Sequence, residues 1–124
     1  MKLQDKKIVV TGGKGFLGSY VVEKLKEKGA RDIFVPNSKD FDLREKKKCE
    51  EVVRGSDIVI HLAAQIGGIG FISEHPGEIF YNNIIMAVQM MEESRRAHVK
   101  KFIGIGTACE YPESIPLPFK EDDI

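Results

Sequence analysis

The chain has 124 residues, 42% of them hydrophobic, and 19 Lys and Arg balance 19 Asp and Glu to a formal net charge of +0. That length sets the expectation of one domain over residues 1–124, since domains run to roughly 100–150 residues, and the charge balance removes the phosphate attraction on which nucleic-acid binding rests. No apolar run approaches the ~20 residues of a membrane span, the N-terminus has no signal-peptide core, and two cysteines without metal-ligand spacing point to a reduced compartment and no metal site, so the protein reads as cytoplasmic.

Apolar runs and helical stripes alternate from the start, the pattern of a parallel α/β sheet. Ile8, Val9 and Val10 form a β-branched run that reads as a buried strand ending at Gly12 and Gly13. Residues 16–28 repeat apolar side chains at Leu17, Val21 and Leu25, the stripe of a helix packed on the sheet, and Gly29 stops it. Ile33, Phe34 and Val35 make a second strand, and Phe41, Asp42 and Leu43 belong to a short third one. Residues 44–54 place Cys49, Val52 and Val53 on one helical face, which assigns Cys49 to packing, and Lys46, Lys47 and Lys48 on a solvated face. Residues 58–62 are the clearest strand and run through Ala63 and Ala64 into a glycine-rich loop at Gly67, Gly68 and Gly70. The helix expected over 77–97 carries a stripe of Phe80, Ile84, Ala87 and Met91 suited to the sheet. Ile85, Met86 and Met90 fall on other faces and call for a second partner. A fifth strand at residues 102–105 leads to Thr107, after which Pro112, Pro116 and Pro118 break the chain into loop. Right-handed crossovers then give strand order 3-2-1-4-5, a Rossmann-type doubly wound sheet in three α/β/α layers.

Residues 11–18, Thr-Gly-Gly-Lys-Gly-Phe-Leu-Gly, join the first strand to the first helix. Without side chains, Gly12 and Gly15 let the backbone turn tightly and approach a pyrophosphate, and Gly18 lets the helix lie close to the sheet. The amides that open the helix, at Phe16 and Leu17 among them, face the phosphates with the positive end of the helix dipole behind them. About twenty residues on, an Asp or Glu would hold the adenosine ribose of NAD, but the chain reads Pro36, Asn37, Ser38 and Lys39 there. The missing carboxylate, with Ser38 and Lys39 nearby, leans toward NADP, and the nearby Asp40 keeps NAD open. Asp42 is placed either to hydrogen-bond the adenine amino group or to cap a turn.

With these motifs, Asp42-Leu43-Arg44, His61-Leu62-Ala63-Ala64 and the Thr-Ala-Cys-Glu-Tyr-Pro segment at 107–112 resemble the N-terminal part of the extended short-chain dehydrogenase/reductase family. Residues 63–70 and 107–112 are similar to its subgroup of GDP-L-fucose synthases and GDP-mannose 3,5-epimerases. The resemblance implies NADP-dependent epimerisation and reduction of a GDP-linked 4-keto-6-deoxy sugar. The alternatives are an NAD-dependent epimerase without net redox change and a dinucleotide-binding module without turnover. It also implies that the Thr107 hydroxyl bonds the sugar's 4-keto oxygen and that Cys109 is the acid/base at the flanking carbons. Ala108 lies between them in the substrate site, and Gly67 and Gly68 approach the sugar. Leu62, Ala63 and Ala64 line the nicotinamide ribose, and Asn82 or Asn83 supports the cofactor from the long helix. A homodimer through the 77–97 helix is implied as well.

The sequence departs from the family in three places. The Tyr-x-x-x-Lys pair of hydride transfer has one match, Tyr20 and Lys24, which falls on the first helix and reads as coincidence. Glu110 stands beside Cys109 where relatives carry an apolar residue, and a carboxylate there raises a thiol's pKa. Thr107 takes the place of the commoner serine. His61, His75 and His98 match no catalytic position. The chain therefore reads as the cofactor-binding portion of a longer enzyme, without its substrate portion and inactive alone.

Overall fold

The computed structural model describes residues 2–107, 111–112, 114–115 and 117–123. Four parallel strands form one sheet in the order β2-β1-β3-β4: β1 is Lys7–Thr11, β2 Asp32–Phe34, β3 Ile58–His61 and β4 Lys101–Gly104. The helices are α1, Phe16–Glu27, α2, Lys46–Val53, α3, Ile69–Glu74, and α4, Pro76–Arg96. Register is set by the β-branched runs, with Val9 opposite Val59 and Val10 opposite Ile60. Strands buried on both faces need apolar side chains at every position rather than at alternate ones, and β1 and β3 supply them.

The pleat sorts those side chains into two cores. Val9 and Val59 point toward Val52, Val53 and Met90 of α2 and α4, with Phe34 and Phe102 completing that layer. Ile8, Val10, Ile58 and Ile60 point the other way, where Val21, Val22 and Leu25 of α1 cover them. At the lower edge Asp57 ties three strands together: its carboxylate accepts from the Lys7 amide at 3.1 Å and from Lys100 Nζ at 2.8 Å. These two donors hold the Asp57 carboxyl down at about 2, the Lys100 bond contributing most. The Cys49 thiol lies fully buried and donates to the Leu43 carbonyl at 3.1 Å. Burial, reinforced by Glu93, Asp42 and Glu50, pushes it up to about 12, so its role is packing, as its helical position implies.

Three expectations fail against this architecture. The third strand does not form among the described residues: the Asp40 and Phe41 amides donate to the Asn37 carbonyl, and the Asp42 carboxylate takes the Arg44 amide at 3.0 Å. Local turn bonds take the Phe41 amide and, through Glu45, the Asp42 carbonyl that a ladder would use, and the observed order lacks the outer strand of 3-2-1-4-5. Phe41 instead packs edge-on against Phe34 at 5.6 Å. The sheet-facing stripe of α4 is also not Phe80, Ile84, Ala87 and Met91. Asn82, Met90, Glu93 and Ser94 are buried and Met86 packs beside Met90, while Phe80, Ile84 and Met91 stand 67%, 47% and 58% exposed. Polar residues on the inward face hid it from a count of apolar spacing. Leu17, expected on the sheet side of α1, is 53% exposed.

Two smaller differences concern the loops. The glycine-rich stretch turns into α3 at Ile69, with the Ile72 amide bonded to the Gly68 carbonyl. The tail expected as loop contains a 3-10 turn at Glu121–Asp123 and a stacked pair of Tyr111 and Phe119. No helix among the described residues is long and apolar enough to cross a membrane.

Candidate functional site

A cleft of about 1260 Å³ opens across the carboxyl ends of the strands. Parallel sheets place ligands there because connecting loops splay apart where the strand order reverses, here between β1 and β3. The β1–α1 turn forms its floor. Gly12 sits in the left-handed region at φ 67°, and a Cβ on it would lie 2.7 Å from the Leu62 carbonyl carbon. Gly18 is closer still to the turn, and a Cβ there would run into the Gly12 carbonyl oxygen. These two glycines are required by the fold itself, because they let α1 and the β3 exit close onto one loop. Gly15 differs. It is the N-cap of α1 at φ −77°, ordinary for any residue, and a Cβ would meet only the Gly12 oxygen at 3.2 Å. The fold thus constrains Gly15 less tightly than Gly12 or Gly18.

Thr11, fully buried, joins the two central strands above that floor. Its hydroxyl accepts from the Leu62 and Ala63 amides, both at 3.2 Å, and contacts His61 Nδ1 at 2.8 Å. With its lone pairs engaged, the hydroxyl's one proton goes to Nδ1, which assigns the imidazole proton to Nε2. Burial holds the His61 pKa below its ordinary value and keeps the ring neutral. Sequence reasoning named both residues within their motifs but not their pairing, which spans 50 positions.

The cleft gathers most of the residues expected to bind cofactor. Gly12, Gly15, Phe16, Leu17 and Gly18 line it from the turn, and Leu62, Ala63 and Ala64 from the β3 exit. Ser38, beside Pro36 and Asn37, lines the end beyond β2, without a carboxylate among these three. Asp42 lines it too, and its carboxylate is forked by Arg44, with Nε to Oδ1 at 2.9 Å and a guanidinium nitrogen to Oδ2 at 2.6 Å. Those bonds and the Arg44 amide hold Asp42 below the usual carboxylate range. Thr107 lines the far side with Ile105 and Gly106. Asn82 faces the cleft from α4, 6% exposed, with its Nδ2 donated to Gln65 Oε1 at 2.5 Å.

Gly67 and Gly68 fall just outside the lining, beyond Ile66 at the loop's turn into α3. Ala108, Cys109 and Glu110 lie outside the described residues. Tyr20 and Lys24 lie on α1 away from the cleft lining, with Lys24 paired to Glu27 at 2.6 Å, so this match is not assembled at the site. Lys14, Arg44, Gln65 and Asn83 also line the cleft. The signal for Lys14 was present, since it stands inside the glycine turn, whereas nothing local marks Gln65.

The chain is similar to known proteins in sequence and in fold. GDP-mannose 3,5-epimerase 1 of Oryza sativa subsp. japonica is 36% identical over 121 residues, covering 86% of this chain and 32% of that protein. A GDP-L-fucose synthase of Azorhizobium caulinodans is 34% identical over 123 residues, covering 98% of this chain and 39% of that protein. The crystal structure of a GDP-L-fucose synthetase from Naegleria fowleri bound to NADP superposes with a TM-score of 0.76 at 30% identity, over 97% of this chain and 36% of that one. This chain thus spans about a third to two-fifths of the length of these relatives. A strand–glycine turn–helix unit opening onto a reversal of strand order is shared by many nucleotide-binding sheets. The narrower assignment comes from the family profile, which matches residues 8–124 and includes every cleft residue described above: the chain belongs to the NAD dependent epimerase/dehydratase family.

Proposed function

We propose that this chain is the cofactor-binding portion of an NADP-dependent GDP-sugar epimerase/reductase, which epimerises beside a 4-keto group and reduces it. The observation that carries the reading is the glycine floor: Gly12, Gly15 and Gly18 line the open cleft where β1 turns into α1. The residues present fit a dinucleotide. Gly12, Gly15 and the amides of Phe16 and Leu17 hold the pyrophosphate at the helix N-terminus, and Gly18 lets α1 approach. Asp42 receives the adenine amino group, while Leu62, Ala63, Ala64 and Asn82 flank the nicotinamide ribose. Bound there, NADPH supplies hydride. Asn37 and Ser38 beyond β2, with Lys14 in the same cleft lining, favour a 2′-phosphate over the bare hydroxyls of NAD, and an NADP-bound relative supports the same choice.

In this reading Thr107 donates a hydrogen bond to the sugar's ketone oxygen, which acidifies the flanking C–H bonds. Cys109 exchanges protons at those carbons, and Ala108, Gly67 and Gly68 shape the sugar's seat. The 124 residues bring no Tyr-x-x-x-Lys pair to the cleft, so we read them as inactive by themselves. A homodimer fits the stripe of Phe80, Ile84, Val88 and Met91 left exposed on α4. This is a different face from the one the sequence suggested. Light scattering should give twice the chain mass for the parent and the single mass for Ile84→Glu. A parent that stays monomeric at high concentration removes the dimer.

Calorimetry tests the cofactor reading. The parent should bind NADPH more tightly than NADH. Gly15→Ala should weaken NADPH at least about tenfold, roughly the effect of ~1.4 kcal/mol, with little change in melting temperature. Equal binding of both nucleotides would favour the NAD-dependent epimerase without net redox change. Binding of neither would end the reading.

A further inference from the structure

Residues 62–68 leave β3 without regular structure and carry the wall of the cleft opposite α1. Apolar packing anchors only the start of this wall, where Leu62 and Ala63 lie against the two cores; farther on Ile66 is 82% exposed and Ile69 86%, and no residue of α3 is buried. The loop is held by polar bonds at two points. At its start the Thr11 hydroxyl takes the Leu62 and Ala63 amides. At Gln65, α4 takes over. Asn83 Oδ1 accepts the Gln65 amide at 2.6 Å, and Asn83 Nδ2 donates to the Gln65 carbonyl at 2.9 Å. One side-chain amide thereby satisfies both main-chain groups of one residue, as a neighbouring strand would. A primary amide presents an acceptor and a donor side by side in this way, whereas an ionised carboxylate only accepts. The Gln65 side chain adds two further constraints, accepting from Asn82 Nδ2 at 2.5 Å and donating from Nε2 to Glu78 Oε1 at 3.1 Å.

We infer that Asn83 is a positioning residue: by clasping the main chain of Gln65 it sets the depth of the 62–66 wall against which the nicotinamide half of a dinucleotide lies. The inference rests on the cofactor reading above and adds to it a residue that acts through the loop. Between the two pins stands Ala64, a small side chain whose contribution to the wall is the path of its backbone. The adenine half is built from the β1–α1 turn and the segment after β2, so it does not depend on the clasp.

That asymmetry makes the test. Binding of NADPH and of 2′,5′-ADP, which lacks the nicotinamide half, would be measured by calorimetry for the parent and for Asn83→Ala. The expected result is a loss of about tenfold for NADPH, in line with the removal of two hydrogen bonds, and of less than about twofold for 2′,5′-ADP. Equal losses on both ligands, or no loss on either, overturn the inference. Hydrogen exchange read on the same proteins should show the Gln65 amide and residues 66–74 losing protection in Asn83→Ala. Gln65→Ala, which keeps the clasped main chain, should retain that protection at residue 65. If the parent binds neither ligand, the cofactor reading fails, and exchange alone decides the clasp: unchanged protection at Gln65 in Asn83→Ala overturns it. Should Asn83→Ala not fold, Asn83→Asp serves instead. It keeps the acceptor for the Gln65 amide but sets a carboxylate against the Gln65 carbonyl, and the same selective loss is expected.

Discussion

Gly18→Ala should lower the melting temperature by about 10 °C, from an overpacking cost of ~2–3 kcal/mol in a domain of this size. The added methyl meets the Gly12 carbonyl, with Gly13 Cα at 2.6 Å and the Gly12 carbonyl carbon at 2.8 Å. All three are main-chain atoms of a turn whose own conformation is fixed: Gly12 is left-handed, and the Gly15 amide bonds back to the Gly12 carbonyl at 2.9 Å. A flexible side chain could move aside, whereas this backbone can yield only by pushing α1 off the sheet, which uncovers Val21, Val22 and Leu25 from their core. Gly15→Ala, three residues earlier in the same turn, is the internal comparison, because its methyl meets a single backbone oxygen at 3.2 Å and its φ is ordinary, so a smaller loss is expected. Thermal unfolding followed by circular dichroism decides the matter. A Gly18→Ala protein melting within about 2 °C of the parent would mean that the close approach of α1 costs nothing to relax.

Thr11→Val should cost about 3 kcal/mol, read as a lower urea midpoint at unchanged slope. Valine preserves the volume but removes the hydroxyl, leaving the Ala63 amide and His61 Nδ1 without their partner in a buried setting. Each such orphaned group costs roughly 1–3 kcal/mol. Thr11→Ser, which keeps the oxygen, should recover most of the loss. A Val variant as stable as the parent would show that water or a shifted loop replaces the hydroxyl.

The same junction gives the protein a sensitivity to acid. His61 is held neutral, its pKa lowered by burial, and its Nδ1 faces a hydroxyl whose lone pairs are already engaged. The unfolded chain takes up a proton near the ordinary histidine value of ~6.5, while the folded chain resists until lower pH. Between those two values the unfolded state binds more protons, so stability rises with pH. His61 thus contributes fully above about pH 6.5, and that contribution is lost as the pH falls toward its folded value. Urea midpoints between about pH 7.5 and about pH 5.5 should decline for the parent and stay flatter for His61→Leu. Equal slopes in the two proteins would remove His61 as the cause.

What was legible in advance was local. The β1 and β3 runs, the glycine turn and α1 arise from neighbours a few residues apart, and so does the placing of the cleft, since strands that rise in parallel carry their turns to one end. Where a second, competing local interaction existed, the reading went wrong. The stretch at Phe41 to Leu43 has strand-forming residues at two of three positions, but Asn37 and Asp42 offer nearer partners for its donors. Apolar spacing chose the wrong face of α4 because its inward face is partly polar: Asn82 is answered by Gln65, and Glu93 by Lys46 and Arg96 at 3.7 and 3.5 Å.

The sequence by itself determined that the chain folds as a parallel α/β layer and that a side-chain-free turn leads from its first strand into its first helix, because both depend on backbone preferences within a few residues. Only the tertiary structure decided how tightly each glycine of that turn is hemmed in. That distinction depends on what a methyl group would touch across the β1–β3 junction. Tertiary structure alone also joined Thr11 to His61 and Asn83 to Gln65, because hydrogen bonds between residues far apart in the chain exist only once the sheet and α4 bring them within 3 Å.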